Sequence, residues 1–196
     1  MAHDQILTRE AILDAAEQVL RRYGPEKTSV VDIAKALQVS HGTLYRHFAS
    51  KADLREAVTE RWLDQRISAP LEAIVERQDG TAAERLRDWL QALVRAKRTY
   101  LAEDAEMFAM YTAVTAESVA IVHAHIAHLT GQIARILESG IRSGEFKPGR
   151  PETVARAIFT ATARFHHPAH ARDWQSDEAE ADFEAVWALL LSGLAV

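Results

Sequence analysis

Apolar residues return every three or four positions along almost the whole chain. Ile12, Ala16, Val19, Leu20 and Tyr23 form a first stripe, Val30, Ile33, Ala34 and Leu37 a second, and Leu54, Val58 and Trp62 a third. Further on, Leu86, Trp89, Leu90, Leu93, Val94 and Leu101 share one face. The longest run steps from Val119 through Val122, Ile126, Leu129, Ile133 and Ile136 to Ile141. A 3–4 spacing marks one side of an α-helix, and no stretch alternates apolar with polar residues clearly enough to compete as a strand. The pattern predicts an all-α protein of about nine helices.

Punctuation residues place the boundaries. Thr8 suits the start of the first helix, and Gly24-Pro25 closes it. Ser29 with Asp32, and Ser50 with Asp53, pair a hydroxyl with a carboxylate three residues on, which favours helix starts there. Ser40 is the cap expected before His41. Pro70 restarts a helix, Asp79-Gly80 is a turn before Thr81, and Gly144 with the KPGRP segment ends the longest run. Two last helices span about 152–166 and 178–194. The expected organisation is a three-helix head over 1–50, a connecting helix over 51–67 and a helical domain over 68–196. The connecting helix is then the only covalent path between head and body.

The chemistry concentrates between 28 and 48, in TSVVDIAKALQVSHGTLYRHF. Two short helices joined at Gln38-Val39-Ser40 match a helix-turn-helix, with Val39 expected as the buried plug and the second helix entering a major groove. No acidic residue lies between Asp32 and Asp53, whereas Lys35, Arg46 and Lys51 do. The second helix presents His41, Gly42, Thr43, Tyr45, Arg46 and His47 around the inward Leu44 and Phe48. Short polar side chains suit base edges, and a glycine lets a backbone come close to a duplex.

The run Ile33-Ala34, Val39-Ser40, Gly42-Thr43-Leu44-Tyr45, His47-Phe48, Lys51 and Leu54 resembles the DNA-binding region of the TetR family of bacterial repressors. The similarity covers about the first sixty residues; the rest matches in length and helical character. The resemblance implies that His41, Thr43, Arg46 and His47 meet bases or phosphates, and that Thr28, Ser29, Ser40, Tyr45 and Lys51 meet mainly phosphates. It also implies a double-stranded DNA operator, a homodimer and a small-molecule effector held in the C-terminal domain.

Composition narrows the alternatives. Net charge is -5, yet residues 1–50 balance, so the later chain carries the acidic excess and DNA can be met only through the head. The absence of cysteine excludes disulfides and thiolate metal sites. The N-terminus lacks the apolar core of a signal peptide, and the longest apolar stretch, 186–196, is about half a membrane span. A cytoplasmic location without membrane contact is expected. There is no G-x-S-x-G, no H-E-x-x-H and no Gly-rich phosphate loop, so neither an enzyme nor a cofactor is expected. His125 and His128 have the helical spacing for sharing a metal, which leaves a zinc-responsive regulator, or more remotely a helical metal-dependent enzyme, as alternatives.

Two further groups of residues read in more than one way. Trp89, Met107, Phe108, Met110, Tyr111 and Phe159 suit an adaptable apolar pocket, but at helical spacing they equally suit plain core. Val154 and Ile158 on one late helix, with Phe183, Trp187, Leu190, Leu191 and Leu194 on the last, form a wide apolar surface. It reads as a two-fold interface of a four-helix bundle, or as one central core helix.

Overall fold

Helix starts in this protein are set by hydrogen bonds three residues long. In the computed structural model, which describes residues 7–196, Thr8 Oγ1 accepts from the Ala11 amide at 3.1 Å. Ser29 and Asp32 form a reciprocal capping box, Ser40 accepts from the Thr43 amide at 3.2 Å, and Ser50 accepts from the Asp53 amide at 3.0 Å. Thr81 and Glu84 also cap one another, at 2.8 and 3.1 Å. Each cap satisfies amides that the first helical turn leaves unpaired.

The elements follow in the order α1 (Arg9–Tyr23), α2 (Val30–Ala36), α3 (His41–Leu44), α4 (Lys51–Leu63), a π-helical turn (Asp64–Ser68) and α5 (Ala69–Val75). Then come α6 (Ala82–Glu103), α7 (Ala105–Glu117), α8 (Val119–Ser143), α9 (Pro151–Ala161), α10 (Ala163–His166) and α11 (Ala179–Leu194). The expected all-helical architecture holds. Two expected helices are interrupted. The connecting helix passes through the π turn before Pro70 takes the second position of α5, and Thr162 separates α9 from α10. The second helix of the motif is shorter than 41–48: it is regular over His41–Leu44 and tightens into a turn ending at Phe48.

The chain forms two compact units: one holds residues up to Trp62 together with Glu103–Ile121, the other Leu63–Ala102 with Val122–Val196. Helix α7 thus belongs to the unit of the helix-turn-helix, not to the C-terminal body as expected. The chain crosses between units after Trp62, Ala102 and Ile121, so the connecting helix is one of three covalent links.

In the first unit, Ile12, Leu20, Ile33, Leu44, Phe48, Leu54 and Val58 fill the core. In the second, Leu86, Trp89, Leu93, Leu129, Ile133, Ile158, Phe183 and Trp187 do so. A polar network is buried among them: Trp89 Nε1 donates to Gln132 Oε1 at 3.0 Å, and Gln132 Nε2 donates at 2.9 Å to Ser68 O at the end of the π turn. Gln132 Nε2 also donates to Glu72, which Arg135 pairs. Among the described residues no single helix is long and apolar enough to cross a membrane.

Candidate DNA-binding face

The turn between α2 and α3 is made by backbone geometry more than by a plug. Gln38 adopts φ 56°, the left-handed region that side-chain-bearing residues seldom enter. The next amide, of Val39, reaches back to Ala34 O at 3.0 Å. Val39 is half-buried, not the fully enclosed plug expected. The left-handed residue redirects the chain without needing a large apolar wedge.

From that corner, Leu44 and Phe48 turn inward and are almost fully buried. His41, Gly42, Tyr45 and Arg46 are exposed together on the opposite side, with Ser40 before them and Lys51 after them, and Thr43 and His47 are half-buried beside them. None of Lys35, Arg46 and Lys51 forms an ion pair among the described residues. Arg46 and Lys51 make the face cationic, the condition for attracting phosphate, while the Asp32 carboxylate offsets part of the Lys35 charge.

Two of the expected phosphate contacts are spent inside the protein. Thr28 is 4% exposed and donates its hydroxyl to Gly24 O at 2.7 Å. That hydroxyl stabilises the turn after α1 and is engaged within the chain, away from solvent. Ser29 donates to Asp32 Oδ2 at 2.5 Å while accepting from the Asp32 amide. The same hydroxyl and the Ser29 amide hold the Asp32 carboxyl below the usual carboxylate range. Ser40 is less constrained: it is exposed, caps α3 and shares a 2.9 Å hydrogen bond with the Thr43 hydroxyl.

Arg9, though exposed, acts as a strut: Nη1 donates to His47 O at 3.1 Å, and the guanidinium lies 4.2 Å from the centre of the Phe48 ring. It ties the start of α1 to the end of the recognition segment. A larger network joins α4 to α1, and helical periodicity alone does not reveal it. Arg61 of α4 binds Glu17, Asp14 and Glu10 of α1 at 2.6, 2.8 and 3.1 Å, and Arg21 links Glu17 to Asp104 at 3.2 and 3.1 Å. The acidic stripe Glu10-Asp14-Glu17 on one side of α1 was the available signal.

Gly42 has no internal explanation. Its φ is not left-handed, and a Cβ there would meet only Ser40 Oγ, at an ordinary 3.8 Å. A glycine in a helical segment costs up to about 1 kcal/mol relative to alanine. The space it leaves faces outward.

The other expected sites separate. Met107, Phe108, Met110 and Tyr111 are buried in the head's unit, where the Tyr111 ring packs 6.0 Å from Trp62 and 5.7 Å from Phe108. Trp89 and Phe159 lie in the other unit, and Trp89 is held in its core by Gln132. For Trp89 the core reading stands, because its one polar atom is already satisfied. On the expected interface, Ile158, Phe183 and Trp187 are buried within their own chain and so serve as support instead of surface. Val154, Leu190, Leu191 and Leu194 are half-buried, and Leu189, which the periodicity did not single out, is 73% exposed. The zinc alternative finds no support: among the described residues no three His, Cys, Asp or Glu side chains converge.

An all-helical chain whose helix-turn-helix carries an exposed cationic face has the build of a bacterial DNA-binding regulator. Residues 12–58 match the family description "Bacterial regulatory proteins, tetR family", and residues 82–187 match "Tetracyclin repressor-like, C-terminal domain". The chain belongs to the TetR family. It is 30% identical over 161 residues to the A-factor receptor protein of Streptomyces griseus, covering 80% of this chain and 52% of that one, about half its length. It is 29% identical over 192 residues to the fatty acid metabolism regulator protein of Bacillus subtilis (strain 168), covering 93% of both. Its fold is similar to that of the transcriptional regulator FadR from Bacillus subtilis in complex with stearoyl-CoA. That similarity has a TM-score of 0.65 at 24% identity, covering 95% of this chain and 99% of that one.

Proposed function

We propose that the protein is a ligand-responsive transcriptional repressor that binds a palindromic operator as a homodimer in the cytoplasm and is released by a small-molecule effector. The observation that carries this reading is Gly42. Nothing among the described residues requires a glycine there, which favours a requirement from outside, from a surface that must approach the backbone as closely as a duplex does. His41, Thr43, Tyr45, Arg46 and His47 surround it, and Lys51, which forms no ion pair among the described residues, follows on the same segment. Base edges fall to His41 and Thr43, phosphates to Ser40, Tyr45, His47 and Lys51, and Arg46 is placed to meet either.

A second copy is needed because one short recognition segment reads few base pairs, and a two-fold pair reads two half-sites. The apolar side chains of α11 and α9 that their own chain leaves half-buried, among them Leu190, Leu191, Leu194 and Val154, with the exposed Leu189 on another side of α11, supply the apolar surface for that pairing. The names of the relatives, a receptor and a fatty acid regulator, favour an effector that shifts the population between DNA-competent and released states.

Selection of bound sequences from random duplexes tests the reading. Recovery of an inverted repeat is the expected outcome, and recovery of no enriched sequence ends the proposal. Gly42→Ala separates folding from recognition. It is expected to leave the melting temperature unchanged or slightly higher while weakening operator affinity about tenfold or more; equal loss of both would make Gly42 a folding residue. Arg46→Ala is expected to reduce the dependence of log affinity on log salt by about one unit if Arg46 neutralises a phosphate. A preserved slope with relaxed base preference would assign Arg46 to a base edge.

A further inference from the structure

Within the second unit, α6 and α11 share a seam that is matched in charge at one end and unmatched further along. At the matched end, Arg87 Nη2 donates to both oxygens of Glu184, at 2.8 and 2.7 Å. Over the next three turns of α6 the same face carries Gln91, Val94, Arg95 and Arg98. With Glu180 and Phe183 of α11 they line a groove of about 150 Å³. The side chains of Arg95 and Arg98 form no ion pair or hydrogen bond among the described residues. Arg95 is exposed, whereas Arg98 is half-buried and its Nε is enclosed without an acceptor.

A lone exposed arginine is ordinary, but this pair is not placed as solvated arginines are. Two guanidiniums one turn apart on a helix repel each other, and an enclosed N–H without an acceptor forfeits a hydrogen bond. Glu180, one turn before Glu184 on α11, is the carboxylate that would complete the pattern, yet it pairs with neither arginine. We propose that the groove binds a small aromatic carboxylate, its anion held by Arg95 and Arg98 and its ring laid against Val94 and Phe183. A planar guanidinium matches the two oxygens of a carboxylate, and a hydrogen bond between charged partners is about twice as strong as a neutral one. The groove has room for one ring, since a cavity of about its volume holds benzene. Its apolar wall is fixed: Phe183 is buried and meets Phe165 edge-on, with centroids 5.4 Å apart.

The inference goes beyond the effector reading, because it gives the second unit an anion site whether or not occupancy acts on DNA. Inorganic phosphate would satisfy the two arginines but leave Val94 and Phe183 uncovered, so the ring is what distinguishes the ligand. Glu180 also lines the groove and opposes an anion bound there. Removing its charge therefore strengthens binding, a gain that arginines serving only to pack α6 would not produce.

Calorimetric titration of the full chain with benzoate, benzyl alcohol and inorganic phosphate, without DNA, tests the assignment. Benzoate is expected to bind about tenfold or more tightly than either of the others. Arg98→Met keeps the apolar stem and removes the charge, and is expected to weaken benzoate about tenfold. Arg95→Met is expected to weaken it in the same direction; because Arg95 is exposed and unpaired, this variant keeps the test decisive should Arg98→Met fail to fold. Glu180→Gln is expected to tighten benzoate about twofold or more. The proposal is overturned if benzoate fails to bind, if benzyl alcohol or phosphate binds as tightly, or if the arginine variants keep the native affinity. Because DNA is absent, failure of operator recognition leaves this result untouched.

Discussion

Arg61→Ala is expected to lower the unfolding free energy by about 2–3 kcal/mol, the largest single effect anticipated in the head. Arg61 makes three charged contacts, all to α1, and the closest is to Glu17, which is itself nearly buried. Burial works against the Arg61 charge, and the hydrogen bonds to Glu17, Glu10 and Asp14 outweigh it, so the guanidinium is held more firmly than in water. Removing it leaves an enclosed carboxylate with one remaining cation, Arg21, and two acidic neighbours on the same helix. That remaining partner is why the estimate sits below the ~3–5 kcal/mol of a fully buried pair broken outright. Urea unfolding followed at Trp62, which lies in the same unit, gives the measurement. Arg61→Lys should fall between, because a point charge cannot bridge Glu17 and Asp14 as the planar fork does. If Arg61→Ala lies within about 0.5 kcal/mol of wild type, the network behaves as an ordinary exposed ion pair.

Acidification should destabilise the second unit well before carboxylates titrate. His166 has a folded value of about 3 against an ordinary 6.5, so the fold favours the neutral ring. Its contribution is complete above about pH 6.5 and is lost progressively as pH falls towards 3. Between pH 6.5 and about pH 5 the loss is about 2 kcal/mol, at ~1.4 kcal/mol per proton per pH unit. His125, lowered for the same reason and further by Lys97, His128 and His166, adds to the slope in the same window. Lys97 acts at higher pH: with its folded value near 7 and its ordinary value at 10.5, stability rises as pH climbs between the two. Denaturation midpoints at about pH 7 and pH 5 are expected to differ clearly in the native chain and by roughly half as much in His166→Phe, which keeps the ring packed on Phe159. Equal shifts in both would remove His166 as a source of the acid sensitivity.

The helix-turn-helix was legible because its determinants are local. Thr8, Ser29 with Asp32, Ser40 and Ser50 with Asp53 act over three residues, so their roles are written in adjacent letters of the sequence. Leu44 and Phe48 turned inward as their spacing required. The same periodicity could not say which hydroxyl of Thr28-Ser29 faces solvent, because both precede the helix and only the packing of Thr28 against Gly24 O decides. Nor could it divide the last helix into Trp187, which its own chain buries, and Leu189, which remains outside. The two lie on nearly opposite sides of a helix that is apolar over more than one face.

By itself, the sequence determined the helical class, the caps, the corner that carries the recognition segment and its family, since each depends on residues a turn or less apart. Only the tertiary structure placed α7 with the head, joined Arg61 to Glu10, Asp14 and Glu17, and set Trp89 against Gln132. Those groupings bring together side chains from separate helices, tens of residues apart in sequence. A helical repeat specifies which way a side chain faces around its own axis. Which other helix it meets there is settled by how the whole set packs.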